Sequence, residues 1–166
     1  MVFSSLEYLL VFLPVVLVGF VLLSSRARMA LGWLVLCSLF FYAWWEPRYL
    51  LLLLSSMLFN FLVAGWMSRN RKLSKPLLIV GVTANLAAIG WFKYAGFISV
   101  NLNWLFDLSL GGQDIILPLA ISFFTFQQIA FLVDCHRDIA REYDLLDYTL
   151  FVSFFPQLIA GPIVHH

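Results

Sequence analysis

"LLLLLSSMLFNFLVAGWMSRNRKLSK", residues 50–75, decides what kind of molecule this is. Residues 50–67 hold no charged side chain, and the eight that follow hold Arg69, Arg71, Lys72 and Lys75. At about 1.5 Å per residue, a helix of some 20 apolar residues crosses the roughly 30 Å hydrocarbon core of a bilayer. A cluster of cations directly behind such a run marks a loop kept on the cytoplasmic side.

Working outward, five more stretches approach the same length: residues 6–23, 29–44, 76–95, 115–133 and 145–164. The chain is 63% hydrophobic and 11% charged, with a mean hydropathy of +0.94. Soluble proteins sit near 45–50% apolar and 25% charged. The fold class that follows is all-α: a polytopic helical membrane protein of about six membrane segments, read as a single transmembrane domain over residues 1–166. The run at 6–23 is a retained span and not a signal peptide, since no basic residue precedes it, Arg26 and Arg28 follow it, and no A-x-A-like site ends it. Pro76 opens the fourth span where its missing N–H costs nothing.

Of the ten Lys and Arg residues, Arg26, Arg28, Arg69, Arg71, Lys72, Lys75, Arg137 and Arg141 fall in the odd-numbered loops; only Arg48 and Lys93 fall on the other side. The positive-inside rule then places the odd loops in the cytoplasm and the N-terminus outside. The aromatic stretches "FYAWWEPRY" (41–49) and "GWFKYAGF" (90–97) lie at the outer ends, at headgroup level, with Lys93 snorkelling beside Trp91 and Tyr94. Residues 97–114, "FISVNLNWLFDLSLGGQD", are too polar to span and are expected to form one interfacial helix stopped by Gly111-Gly112.

The basic residues form no extended patch with interleaved aromatics, so the chain has no nucleic-acid surface. Cys37 and Cys135 have no paired spacing and no C-x-x-C, which suggests neither a disulfide nor a zinc site and points to two packed free thiols. There is no internal repeat.

Polar groups inside the spans are costly, so their positions are informative. In "ILPLAISFFTFQQIAFLVDCHRD" (116–138), Gln127 and Asp134 stand seven apart on one helical face, while Ser122, Thr125 and Gln128 drift across another. Two readings are open: interhelical hydrogen bonds that hold the bundle together, or one wall of a polar tunnel. Asp134, near the cytoplasmic end, is expected to pair with Arg137 or Arg141. Asn60 and Asn85 lie in the third and fourth spans. Pro14 and Pro118 are expected kinks. In "FFPQLIAGPIVHH" (154–166), Pro156-Gln157 and Gly161-Pro162 make a straight span untenable. Broken backbone at membrane depth is tolerated where protein buries it or a wet cavity lines it, so Gln157 is a further candidate for a cavity wall. His165 and His166 are weak catalytic candidates and a poor metal pair, because neighbours on a helix point about 100° apart and no acidic group stands near them in sequence.

Three of these segments, "WFKYAGF" (91–97), "LPLAISFFTFQQIAFLVDCHR" (117–137) and "FVSFFPQLIAGPIV" (151–164), closely resemble the membrane-bound O-acyltransferases. Within that family the chain is similar to the bacterial alginate O-acetyltransferase branch, related to the D-alanyl transfer protein of teichoic acid modification. The resemblance implies a ring of helices around a tunnel in the bacterial inner membrane, with Gln127, Gln128, Asp134 and Gln157 as candidate lining residues. It implies an acyl donor such as acetyl-CoA or an acyl carrier, and no resident cofactor or metal. The partners it implies are the bilayer, a polysaccharide acceptor and an acyl-accepting partner protein on the outer side. It also implies a catalytic histidine in a Trp-His-Gly phrase, which does not occur here: His136 follows Cys135, and His165 and His166 follow Val164. The chain therefore reads as the N-terminal part of a longer enzyme, inactive alone, with Gln127, Gln128 and Gln157 expected to face lipid in isolation. The alternatives are a non-catalytic membrane scaffold and a small transporter with broken helices; the latter lacks any symmetry between halves.

Overall fold

The computed structural model describes residues 6–45, 47–106, 120–139 and 143–160. All regular structure among them is helical, in the order α1 (Leu13–Leu23), α2 (Ala27–Trp45), α3 (Pro47–Arg69), α4 (Ser74–Phe106), α5 (Ile121–His136), α6 (Leu145–Ser153) and α7 (Phe155–Ala160). By length and composition, the stretches Ala27–Trp44, Pro47–Arg69 and Arg71–Tyr94 can each cross a membrane, and Tyr8–Leu23 is a shorter apolar helix. This is a helical membrane protein.

Ahead of Pro14, where a kink is expected, lies a π-helical turn, Tyr8–Phe12, that runs into α1, with the Leu13 N–H bonded to the Tyr8 carbonyl. The wide turn lies just ahead of a proline that can neither donate nor fit the ordinary ladder. The fourth element corrects the sequence reading. Instead of ending near residue 95 and restarting as an interfacial helix, α4 continues unbroken through Phe106. Falling hydropathy marks where a helix leaves the membrane; nothing at residues 95–106 ends the hydrogen-bond ladder itself. At about 1.5 Å per residue its 33 residues reach roughly 50 Å, well beyond a 30 Å core. Residues 107–114 of the expected interfacial helix, and Pro118, lie outside the described residues.

The segment beginning at Leu145 breaks beside Pro156, as expected there; Gly161-Pro162 lies outside the described residues. Phe154, at φ −55° and ψ 108°, separates α6 from α7, and Pro156 sits in the first turn of α7 where no N–H is needed. The Phe155 N–H leaves the ladder and is accepted by Ser38 Oγ on α2 at 3.4 Å, while the Ser38 hydroxyl donates to the Leu34 carbonyl at 2.8 Å. Nine residues of α6 span about 13 Å before the break.

Two apolar clusters hold the bundle. The larger joins α3, α5 and α6 through Leu53, Met57, Phe124, Leu132, Tyr148 and Val152. The smaller is aromatic and packs Tyr8 and Phe12 against Phe41 of α2 and Phe155 of α7, with the Phe12 and Phe155 rings edge to face at 5.3 Å. Cys37 and Cys135 are both buried free thiols.

Candidate functional site

Four polar side chains from three helices meet inside the bundle. Ser56 and Asn60, four apart on α3, share a face; Asn85 comes from α4 and Gln128 from α5. Asn85 Nδ2 donates to Asn60 Oδ1 at 2.6 Å and to the Gly81 carbonyl at 2.8 Å. Asn60 Nδ2 reaches Asn85 Oδ1 at 3.2 Å, Gln128 Oε1 at 2.8 Å and the Ser56 carbonyl at 2.9 Å. Ser56 Oγ donates to the same Gln128 Oε1 at 2.6 Å. Helices α4 and α5 approach closely at Gly81, where a Cβ would lie 2.6 Å from Leu132 Cδ1. The three amides neither ionise near neutral pH nor attack carbonyls, and the Ser56 hydroxyl is bonded to an amide oxygen and not to a base that could activate it, so the cluster is suited to orienting and binding.

Adjacent glutamines on α5 have different fates. Gln128 is wholly buried and joins the network through Oε1, while among the described residues its Nε2 meets no partner; Gln127 is 6% exposed and neither of its amide atoms meets one there. Burial of both corrects the expectation that they face lipid. Each unpartnered buried group costs about 1–3 kcal/mol, so the α5 face has unused hydrogen-bonding capacity. Gln157 instead lines a groove of about 300 Å³ with Leu34, Asp147, Phe151 and Phe154, one that Gln127, Gln128 and Asp134 do not line. His165 and His166 lie outside the described residues.

Asp134 is half-buried, and among the described residues its carboxylate forms no ion pair, so the expected pairing with Arg137 is not made; Arg141 is outside the described residues. The chain turns away here in a Schellman cap. Ile139 N–H bonds the Asp134 carbonyl at 2.9 Å, Asp138 N–H bonds the Cys135 carbonyl at 3.4 Å, and Asp138 takes φ +65°. The turn delivers the Asp138 carboxylate to Arg71, which also donates from Nη1 to the His136 carbonyl at 3.2 Å.

The same end gathers all three basic loops. Ser74 Oγ and His136 Nδ1 lie 2.7 Å apart, and Arg28 meets Asp144 at 3.8 Å. Asp144 also caps α6, accepting from the Leu145 N–H at 2.7 Å. An open groove of about 630 Å³ lies here, lined by Phe61, Ser68, Arg69, Tyr143, Asp144 and Asp147. Burial pushes the Tyr143 phenol above its ordinary pKa; its ring stands edge-on to Phe131 and Phe61. The sequence reading did not find the Ser74–His136 contact, whose members are 62 residues apart with no local signal. Among the described residues no group of His, Cys, Asp and Glu could hold a metal ion.

The chain is 39% identical to a peptidoglycan O-acetyltransferase of Helicobacter pylori, across 100% of this chain and 37% of that protein. It is 39% identical to a probable alginate O-acetylase of Pseudomonas aeruginosa, across 99% and 33% respectively, and 36% identical to one of Azotobacter vinelandii, across 99% and 34%. The chain thus spans about a third of the length of these relatives. No protein-family model and no solved structure matches it.

Proposed function

Because the chain belongs to the family of membrane-bound O-acyltransferases that includes the alginate O-acetylases, we propose that it is the N-terminal part of an enzyme that transfers acetyl groups to hydroxyls of an exported cell-envelope polysaccharide. The observation that carries this reading is the end-to-end similarity to two O-acetylases whose named acceptors, peptidoglycan and alginate, are both exported glycans. In this proposal the basic end faces the cytoplasm in the inner membrane, the N-terminus lies outside, and the groove beside Arg69 and Tyr143 is where the acyl donor, acetyl-CoA or an acyl carrier, approaches. Gln127, Gln128, Asp134 and Gln157 line the route through the membrane once the remaining segments are in place. The unpartnered amide atoms of Gln127 and Gln128 and the helix break beside Gln157 support that assignment. A partner protein on the outer side carries the acyl group to the polysaccharide.

Acyl transfer needs a base at the acceptor hydroxyl and donors for the developing oxyanion. The amides described here are donors without a base, so the isolated chain is expected to be inactive. The test is the O-acetyl ester content of the envelope polysaccharide in a strain lacking the full-length gene. It should fall, return with the wild-type gene, and return only in part with Gln157→Leu at equal protein level. Unchanged ester content in the deletion strain would refute the proposal.

A further inference from the structure

Among the described residues helix α1 packs chiefly on α2 and turns Leu17, Val18, Val21 and Leu22 outward. Its seam with α2 is set by Trp33, whose indole Nε1 donates to the Val16 carbonyl at 3.1 Å and whose ring occupies the space a Cβ on Gly19 would need. Beside that ring the two helices part, leaving a crevice of about 240 Å³ lined by Val15, Val16, Trp33, Leu36, Cys37 and Phe40. Trp33 to Phe40 is two turns of α2, so the crevice is about 10 Å long. Arg28 lies five residues from Trp33, about 8 Å nearer the basic end. Arg26, in the same hairpin, has no carboxylate partner among the described residues and only meets Met29 Sδ, at 3.6 Å. Arg28 keeps 87% of its side chain exposed despite its contact with Asp144.

From this charge complementarity we propose that the α1–α2 seam binds one anionic phospholipid, with an acyl chain in the crevice and its phosphate-bearing headgroup on Arg26 and Arg28. The occupant has to be apolar over about 10 Å and anionic roughly 8 Å further along. A lipid without net charge leaves Arg26 with no counter-charge among the described residues and Arg28 with only the 3.8 Å contact to Asp144, and an α-helix, 10–12 Å wide with its side chains, is too broad to enter the crevice. Each cationic side chain near a membrane surface favours an anionic lipid by about 1 kcal/mol, close to a fivefold preference. The site is independent of the transfer chemistry proposed above.

The test is native mass spectrometry of the full-length protein taken from nanodiscs of equal phosphatidylcholine and phosphatidylglycerol, with a diazirine-tailed phosphatidylglycerol to map the contact. Phosphatidylglycerol should be retained over phosphatidylcholine, and Arg26→Ala and Arg28→Ala should each lower that preference about fivefold. Val15→Trp should abolish retention by filling the crevice while leaving the charges in place. Lys72→Ala, at the same end but away from the seam, should leave the lipid preference unchanged. Equal retention of the two lipids, an equal loss with Lys72→Ala, or crosslinks confined to helices other than α1 and α2 would each overturn the site.

Discussion

Asn60 and Asn85 face each other across α3 and α4 as a reciprocal amide pair, each Nδ2 directed at the other's Oδ1, at 2.6 Å and 3.2 Å. In a bilayer no hydrophobic force draws helices together, so such pairs and close packing supply the cohesion. Asn60→Leu or Asn85→Leu strands the other amide and should lower stability by about 1–3 kcal/mol each. The double variant should lose less than the sum. Unfolding of the full-length protein in mixed micelles measures this; strict additivity would mean that the two residues do not act as a pair.

Gln127 and Gln128 are neighbours in sequence with opposite expectations. Gln128→Met removes the acceptor shared by Ser56 and Asn60 and should cost about 1–2 kcal/mol. Gln127→Met removes two unpartnered polar atoms and should leave stability unchanged or raise it. If Gln127→Met proves the more damaging in the full-length protein, its amide has a partner outside the described residues.

Gly19 should tolerate no side chain. A Cβ there would come within 2.4 Å of the Trp33 ring, which its bond to the Val16 carbonyl holds in place. Gly19→Ala is expected to cost about 1–3 kcal/mol through overpacking and to shift Trp33 fluorescence, and adding Trp33→Leu should relieve it. A Gly19→Ala protein of full stability would show that the seam is looser than described.

Asp138 serves two purposes that substitution can separate. As the left-handed residue of the α5 cap it resists replacement by Ala, which should cost about 1–2 kcal/mol. Asp138→Gly keeps the turn and removes the pairing with Arg71, whose loss costs about 1 kcal/mol or less. Melting temperatures should therefore rank wild type, Gly, then Ala; a Gly variant below Ala would show that the ion pair matters more than the backbone.

Residues 50–75 were enough to establish a helical membrane chain, and the prolines of 154–164 enough to place a break in its last span. Both are one-dimensional properties: a length of apolar chain set against the thickness of a bilayer, and a residue that cannot donate its N–H. The segregation of Lys and Arg was equally legible, and the convergence of the three basic loops at one end agrees with it.

Periodicity tells which side chains share a face of one helix and is silent about what stands opposite. That Gln128 bonds Asn60, 68 positions away in the chain, is visible only once α3 and α5 are packed together. Hydropathy in the same way could not tell that α4 runs on past the apolar zone, because a backbone ladder continues wherever nothing interrupts it. Local composition therefore determined the membrane class, the helices and the broken span. The pairing of amides, the Ser74–His136 contact and the crevice beside Trp33 were decided only by tertiary packing, since each depends on the distance between groups that lie far apart in the chain.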